Sequence, residues 1–555
     1  MHMQEEDAKE IRSRANEVLL RGEWEEAIAL YSQYIDHCSA QITFSNNAEL
    51  KKSVCMALSN RAEARIRLRD LDNALQDVNN ALQADPIHPK SLYWKGRILL
   101  ELHRYSLASD CFRLAINHQP NTTEFQESLE KSRRFELQCK TGSYDLSDWI
   151  CSGLMGRPPE CAEYLGPVEI RYSDVGVGER GLFVTKDVEA GTLLAVSKPV
   201  AIARAILPEA FSENARMVIW KDFVTEIERV AKRSTKMLSR IYTLAEDDDV
   251  ERKKKLGVPH MGLFRPDVEY ELERPCDPVV MSRVLGIADL NTLTEKGCSV
   301  KKLAADLYCS SENDCIGLWV LPAFVNHSCS PNTARLHVGD SLFLHASRDL
   351  KAGEELTFAY FDVLLPLGMR RELCKTWSFV CRCHRCELEQ SLAEDLKGIE
   401  AEFARVCDKG REREMEMSRL AVKLEEKLRQ MRGRLKDKDK QLLRASFAKA
   451  YWPMCGSCVL MKRWGSGRQM PSIETVIDAV TSALPGDETA LCAAAAVLDK
   501  VNRGLSLSPQ GPFQEAMHRA FGICKALYGK QMKPHVIKAL IHALVRNRGI
   551  IVPNS

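Results

Sequence analysis

The sequence predicts a multidomain α+β protein, with an α-helical repeat array at the amino end, a β-rich middle and an α-helical carboxy-terminal domain. Three observations predict it: a 34-residue period in the first 125 positions, short β-favouring runs from Val168, and apolar residues at helical spacing from Leu396 onward. The 555 residues, at about 150 per domain, leave room for three or four cores. Lys plus Arg is 78 and Asp plus Glu 76, a net of +2. That balance gives no global basic field, so nucleic-acid binding is not expected as the main activity. With 45% hydrophobic and 28% charged residues, the chain is too apolar to be disordered.

The acidic start Met1-His2-Met3-Gln4-Glu5-Glu6-Asp7 lacks the basic and then apolar pattern of a secretory signal, and no apolar run approaches a membrane span. A soluble protein of the cytoplasm, the nucleus or both is expected, with no membrane partner. Twenty cysteines are too sparse for a disulfide scaffold over this length, so a local cluster of them points to a metal.

In the first region, Ala74, Val78, Ala81 and Pro86 recur as Ala108, Phe112, Ala115 and Pro120. Small residues at that spacing let two helices cross closely. An earlier copy carries Gly22, Ala27 and Tyr31 in register. The pattern resembles the tetratricopeptide repeat, which implies three helix-turn-helix units over residues 8–125 and a concave peptide-binding groove. Arg12, Asn16, Asn60 and Lys90 fall where members that bind chaperone tails grip a terminal carboxylate, and all four can donate to one. Trp94 stands where the last Arg of that grip is expected. A chaperone tail is therefore one expected partner; solvated polar residues on repeat helices are the alternative.

Residues 126–167 read as a linker, punctuated by Gly153, Gly156, Pro158, Pro159, Gly166 and Pro167. β-Favouring runs follow. Three later segments, Asn326-His327-Ser328-Cys329-Ser330-Pro331-Asn332, Gly353-Glu354-Glu355-Leu356-Thr357-Phe358-Ala359-Tyr360 and Cys381-Arg382-Cys383-His384-Arg385-Cys386, together resemble a SET-domain protein-lysine methyltransferase. Glu179-Arg180-Gly181-Leu182-Phe183-Val184 is similar to that family's opening strand and turn. The SET-and-MYND subgroup is the nearest in texture, through Tyr360-Phe361-Asp362-Val363-Leu364-Leu365-Pro366 and Arg370-Arg371. Between Pro199 and Val320, however, Cys276, Cys298, Cys309 and Cys315 do not form the paired pattern that a MYND zinc module requires. The expectation is a SET domain over 168–362 with a helical insert at about 202–290, a post-SET zinc segment over 363–390 and a helical domain over 391–555.

The resemblance implies site residues. Tyr360 would be the catalytic tyrosine, orienting a neutral lysine amine. S-adenosylmethionine would contact the backbone of Arg180, Gly181 and Leu182, together with Asn291, Asn326, His327, Tyr360 and Phe379. Phe358, Tyr360 and Trp377 would line the substrate channel. Cys381, Cys383 and Cys386 offer three thiolates within six residues, and a structural zinc needs four donors. The family supplies the fourth from Cys329, with His384 as the competing ligand. Histone and non-histone substrates both stay open, and the opposing reading is a catalytically inactive scaffold or chaperone-binding adaptor.

From Leu396 to Arg444 the stripe Met417, Leu420, Leu424, Leu428, Met431 and Leu435 predicts one long amphipathic helix, with Glu425 four residues before Arg429. It serves either a partner or its own domain. Three more helices are expected at 488–501, 513–528 and 534–545.

Overall fold

A computed structural model of the chain describes residues 2–42, 48–152, 157–174, 179–207, 212–246, 253, 255–266, 268, 277–295, 312–377, 379–407, 413–431, 433–456, 471–502 and 510–548. The amino-terminal array is three antiparallel helix pairs: α1 (His2–Arg21) with α2 (Trp24–Ile42), α3 (Ala48–Arg67) with α4 (Leu71–Ala84), and α5 (Pro89–Glu101) with α6 (Tyr105–His118). Pro89 opens α5 where its missing N–H costs nothing, and the His88 ring accepts from Ser91 N–H as the cap. The periodic residues are the crossing points: Ala27, Ala74, Ala81, Ala108 and Ala115 are all fully buried. Gly96 meets the Phe112 ring so closely that a Cβ would lie 2.6 Å from a ring carbon.

The expected linker differs in its first part. Residues 126–141 continue a seventh helix, α7 (Thr123–Thr141), because no Pro or Gly interrupts them and Phe125, Leu129 and Phe135 bury one face. Ser132 Oγ donates to Tyr105 O at 2.7 Å, tying α7 to α6. Gly142, at φ 67°, ends that helix in the left-handed conformation, and the short α8 (Ser147–Cys151) follows.

Among the described residues, the middle region holds four small sheets. β1 (Tyr164–Leu165), β4 (Leu193–Ser197), β10 (Ser341–Ala346) and β9 (Thr333–Val338) form one in that spatial order, and β2 (Val168–Tyr172) pairs with β3 (Arg180–Val184). β5 (Ala201–Leu207), β7 (Glu312–Leu318) and β6 (Leu293–Glu295) form the third, and β8 (Asn326–His327) lies parallel to β11 (Thr357–Phe358). The insert thus begins as a strand rather than a helix. Ala201 to Leu207 stays extended because it pairs residue by residue with Leu318 to Glu312. Its helices are α9 (Ser212–Arg233), α10 (Thr235–Ile241) and α11 (Met281–Asn291). Of the four insert-region cysteines, Cys315 is buried in β7, and Cys276, Cys298 and Cys309 lie outside the described residues.

After α12 (Leu367–Lys375) and α13 (His384–Ser391), the expected long helix is three: α14 (Ala393–Cys407), α15 (Arg413–Gln430) and α16 (Asp437–Ser446). Its stripe, Met417 to Leu435, is buried within this domain. Arg429 Nε reaches only the Glu425 backbone oxygen, at 3.2 Å, and not its carboxylate. That carboxylate receives Arg444 Nε at 2.7 Å and Tyr451 OH at 2.7 Å, so the helices are folded back on one another. α17 (Ala448–Gly456), α18 (Ile473–Ala483), α19 (Glu488–Asn502), α20 (Gln510–Tyr528) and α21 (Pro534–Arg548) complete the domain. None of the described helices is long and apolar enough to cross a membrane.

The array is locked to the middle region by buried charge. His103 Nδ1, at the α5–α6 turn, lies 2.8 Å from Glu163 Oε2. Arg240 of the insert approaches the same oxygen at 3.7 Å, and Lys198 N–H donates to the other at 3.1 Å. Burial would raise the Glu163 carboxyl, but His103 and Arg240 outweigh it and hold it well below the ordinary carboxylate range. A carboxyl depressed in the folded state stabilises it above the unfolded value near pH ~4.3 and loses that contribution as pH falls. Glu163→Gln is expected to cost about 3 kcal/mol at pH 7 and to flatten the loss of stability below about pH 5, as read from urea midpoints from there down to about pH 2.

Candidate active site and cysteine cluster

The parallel pairing of β8 with β11 sets Asn326 beside Thr357 and His327 beside Phe358. β3 joins them through Leu356 N–H to Leu182 O at 2.7 Å. The first and second motifs therefore meet over the opening strand. Asn326 Nδ2 donates to Glu355 Oε1 at 2.7 Å and to Arg180 O at 3.3 Å, while Ser173 Oγ donates to Glu355 Oε2 at 2.9 Å. Gly181 faces this carboxylate, and a Cβ there would overlap Glu355 Oε1. The space expected to admit a ligand against the Gly181 backbone is thus shared with Glu355. Sequence reasoning passed over Glu355 and Ser173, although Glu355 sits inside a quoted motif.

Arg180 holds the insert down. Its buried guanidinium donates to Thr243 O at 2.6 Å and Gly257 O at 3.2 Å, and stacks over Phe324 at 5.2 Å. Glu179 pairs with Lys253 of the insert at 3.0 Å. Asn291, at the end of α11, spends both amide hydrogens inside the insert, on Ala245 O and Ile287 O at 2.8 Å each.

Tyr360 is the centre of an aromatic group. Its ring centroid lies 5.4 Å from Phe358, 5.9 Å from Trp377 and 6.1 Å from Phe379, and the last two meet it edge-on. Phe361, which the sequence offered only as the neighbour of Tyr360, stacks on His327 at 4.5 Å and on Trp377 at 5.8 Å. The Tyr360 hydroxyl donates to Val325 O at 3.0 Å. Burial and then the Glu179 charge push its phenol well above the ordinary tyrosine value, against a smaller opposing pull from Arg335. It is therefore a neutral donor at all working pH.

His327 joins this centre to the cysteines. Its Nδ1 accepts from Tyr360 N–H at 3.1 Å, which leaves the ring proton on Nε2, 3.3 Å from Cys329 Sγ. With both nitrogens engaged, the ring links the Tyr360 backbone to Cys329. The donor atoms of Cys381, Cys383 and Cys386 lie within 4.8 Å of one another, and so do those of His327, Cys329 and Cys381. Four thiolates around one zinc would stand about 3.8 Å apart, so the donor set fits that ion. The Cys329 thiol, by hydrogen bonding, draws Cys381 and Cys383 below the ordinary thiol range, toward the thiolates that a metal requires. His384 is exposed at the start of α13 and belongs to neither group. A fifth cysteine, Cys374 of α12, is buried with its thiol hydrogen-bonded to Cys329; it precedes the cluster by seven residues and escaped the spacing argument.

In the array, α1, α3 and α5 bring three of the four groove residues together. Lys90 Nζ donates to Asn60 Oδ1 at 2.6 Å, and Asn60 Nδ2 donates to Asn16 Oδ1 at 3.2 Å. Glu63 stands 3.3 Å from Lys90. Arg12 lies apart from this chain of bonds, donating to Ser53 Oγ at 3.1 Å. Trp94 is buried in the array core.

The family described as SET domain matches residues 179–361. A methyltransferase of Gibberella zeae is 25% identical over 444 residues, covering 76% of this chain and 58% of its own length. The histone-lysine N-methyltransferase SMYD3 of Homo sapiens is 38% identical over 95 residues, covering 17% of this chain and 22% of its own. The chain thus spans little more than half of the first relative and about a fifth of the second. Among solved structures, the Arabidopsis OM64 TPR domain aligns with 23% of this chain and 97% of its own length, at 24% identity and a TM-score of 0.20.

Metal content tests the cluster: about one zinc per chain is expected by mass spectrometry of the elements, and a Cys381→Ser, Cys383→Ser double variant should carry less than a tenth of it. With the three motifs assembled around Tyr360 and the family match spanning the first two, residues 179–361 are a SET domain, set between an amino-terminal helical repeat array and a carboxy-terminal helical domain.

Proposed function

We propose that this chain is an S-adenosylmethionine-dependent protein-lysine N-methyltransferase. The observation that carries this reading is Tyr360: a half-buried, protonated phenol whose hydroxyl is fixed on Val325 O, within reach of the fields of Glu179 and Glu355. Two carboxylates beside an aromatic enclosure suit cations, and both a sulfonium cofactor and a lysine are cationic. S-adenosylmethionine, when bound, supplies a methyl group on positively charged sulfur. Asn326, whose amide is already oriented by Glu355 and Arg180 O, and Phe379 would hold it, with backbone contacts from β3.

The chain's own residues do the rest. Tyr360, Phe361 and Trp377 enclose the amine, and removal from water favours its neutral form, the only one that can attack. The Tyr360 hydroxyl orients the nitrogen lone pair along the line of displacement. Ordering two reactants in this way supplies on the order of 7 to 11 kcal/mol in favourable cases. The cysteine segment places Phe379, two residues before Cys381, against His327 at 5.2 Å. Zinc held by Cys329, Cys381, Cys383 and Cys386 would thus fix the wall of the site.

For the array, the linked Asn16, Asn60 and Lys90 side chains suit a terminal carboxylate, with Glu63 as the charge such a ligand must displace from Lys90. Recruitment of a chaperone tail or of the substrate itself follows from the same chemistry.

Transfer of labelled methyl into a lysate and into core histones tests the enzyme. Label on lysine is expected, reduced at least about 100-fold in Tyr360→Phe with cofactor binding retained. Gly181→Ala, which drives Glu355 off Asn326, should instead weaken cofactor binding by calorimetry. No label together with no cofactor binding by the unaltered chain would favour the scaffold. At the groove, an acidic peptide with a free carboxy terminus should bind at least about tenfold more tightly than its amide, and Asn60→Ala should erase the difference; equal binding of the two peptides would dismiss the grip.

A further inference from the structure

Behind the cysteine cluster lies a set of charges that the chemistry at Tyr360 does not use. Arg370 of α12 and Arg385 of α13 are both fully buried, and Glu389 of α13 is 1% exposed. Glu389 Oε1 takes Arg370 Nη2 at 2.6 Å, Arg385 Nε at 3.1 Å and Ser446 Oγ at 2.8 Å. Arg385 also reaches in both directions: Nη1 donates to Cys329 O at 2.8 Å, and Nη2 to Ser446 Oγ of α16 at 2.7 Å. Arg370 does the same, with Nη1 on Cys386 Sγ at 3.0 Å and Nε on Leu365 O at 2.8 Å.

Two guanidiniums on one carboxylate leave a net buried charge of +1, which is costly unless something negative faces it. The cysteine cluster faces it. Four thiolates on a divalent zinc carry a net −2, and with Arg370 Nη1 3.0 Å from Cys386 Sγ the triad presents the complementary charge to a loaded cluster. Its far end, Ser446, belongs to the carboxy-terminal domain.

We propose that Arg370, Arg385, Glu389 and Ser446 form an outer layer of the metal site, and that through this layer the bound metal clamps α16 of the carboxy-terminal domain against the segment that walls Tyr360. The proposal rests on the reading of the cluster as a zinc site. It makes the metal a joint between two domains as well as a local staple. Arg385 is the central positioning residue, because it alone touches the Cys329 backbone, the Glu389 carboxylate and the Ser446 hydroxyl.

The test uses the full zinc-loaded chain and two readouts that do not depend on methyl transfer. The first is the rate at which zinc passes to a chromogenic chelator. Arg385→Met and Glu389→Gln are expected to release it at least about tenfold faster, the usual scale for loss of an outer-shell partner, with Arg385→Lys recovering only part. Ser446→Ala, which touches no cysteine and should fold, is expected to speed release at least threefold. The second is hydrogen exchange of the unaltered chain before and after zinc removal: amides of α16 should exchange at least tenfold faster in the stripped protein, and those of α3 to α6 should not change. Zinc release within twofold of the unaltered chain in Ser446→Ala and Glu389→Gln, or an α16 indifferent to metal, would overturn the clamp while leaving the zinc site standing. An unaltered chain that carries no zinc would overturn both.

Discussion

One imidazole holds the centre of this molecule together. His327 accepts the Tyr360 backbone N–H on one nitrogen and faces the Cys329 thiol with the other. Neither nitrogen can change partner without loosening either the tyrosine or the cysteine cluster. The ring also stacks on Phe361 and packs against Phe379, so the aromatic wall is built on it as well. A histidine in the site is usually weighed as an acid or base. Here the tautomer dictated by the backbone donor makes it a rigid strut.

The same economy appears wherever two regions meet. Charge is buried at each joint, and in each case residues from separate segments complete it. Glu163 gathers His103 from the array and Arg240 from the insert. Arg180 gathers two insert carbonyls at the start of β3. Glu389 gathers two arginines from the post-SET helices and a serine from the carboxy-terminal domain. Buried ions of this kind add little stability compared with apolar packing, but a missing partner is strongly penalised. They therefore specify how domains sit against one another, which the many apolar contacts around them do less sharply.

Much of the site was legible because the chemistry is local in sequence. Asn326, His327 and Cys329 lie within four residues, and Cys381, Cys383 and Cys386 within six. The array was legible because alanines at a fixed period have few other meanings. What escaped was what depends on distant partners. Glu355 looks like surface punctuation until Gly181 and Asn326, far from it in the chain, are seen to enclose it. Cys374 falls outside any ligand spacing and meets Cys329 only because α12 turns back. The long helix expected from its unbroken stripe is folded into three, because Glu425 is drawn to Arg444 and Tyr451 rather than to its neighbour four residues on.

The sequence by itself determined the order of the regions, the repeat array, the identity of the three motifs and the presence of a thiolate cluster, since each is written in periodicity or in residue types a few positions apart. Only the tertiary structure decided that His327 bridges Tyr360 and Cys329, that Glu355 shares the space before Gly181, and that the cysteine cluster is wired to the carboxy-terminal domain through Arg385 and Ser446. Those outcomes hang on hydrogen bonds between groups far apart in the chain, for example the 29 residues between Asn326 and Glu355 and the 61 between Arg385 and Ser446. No local pattern encodes such pairings; desolvation penalises every buried donor and charge that lacks its partner, and the fold alone brings the partners together.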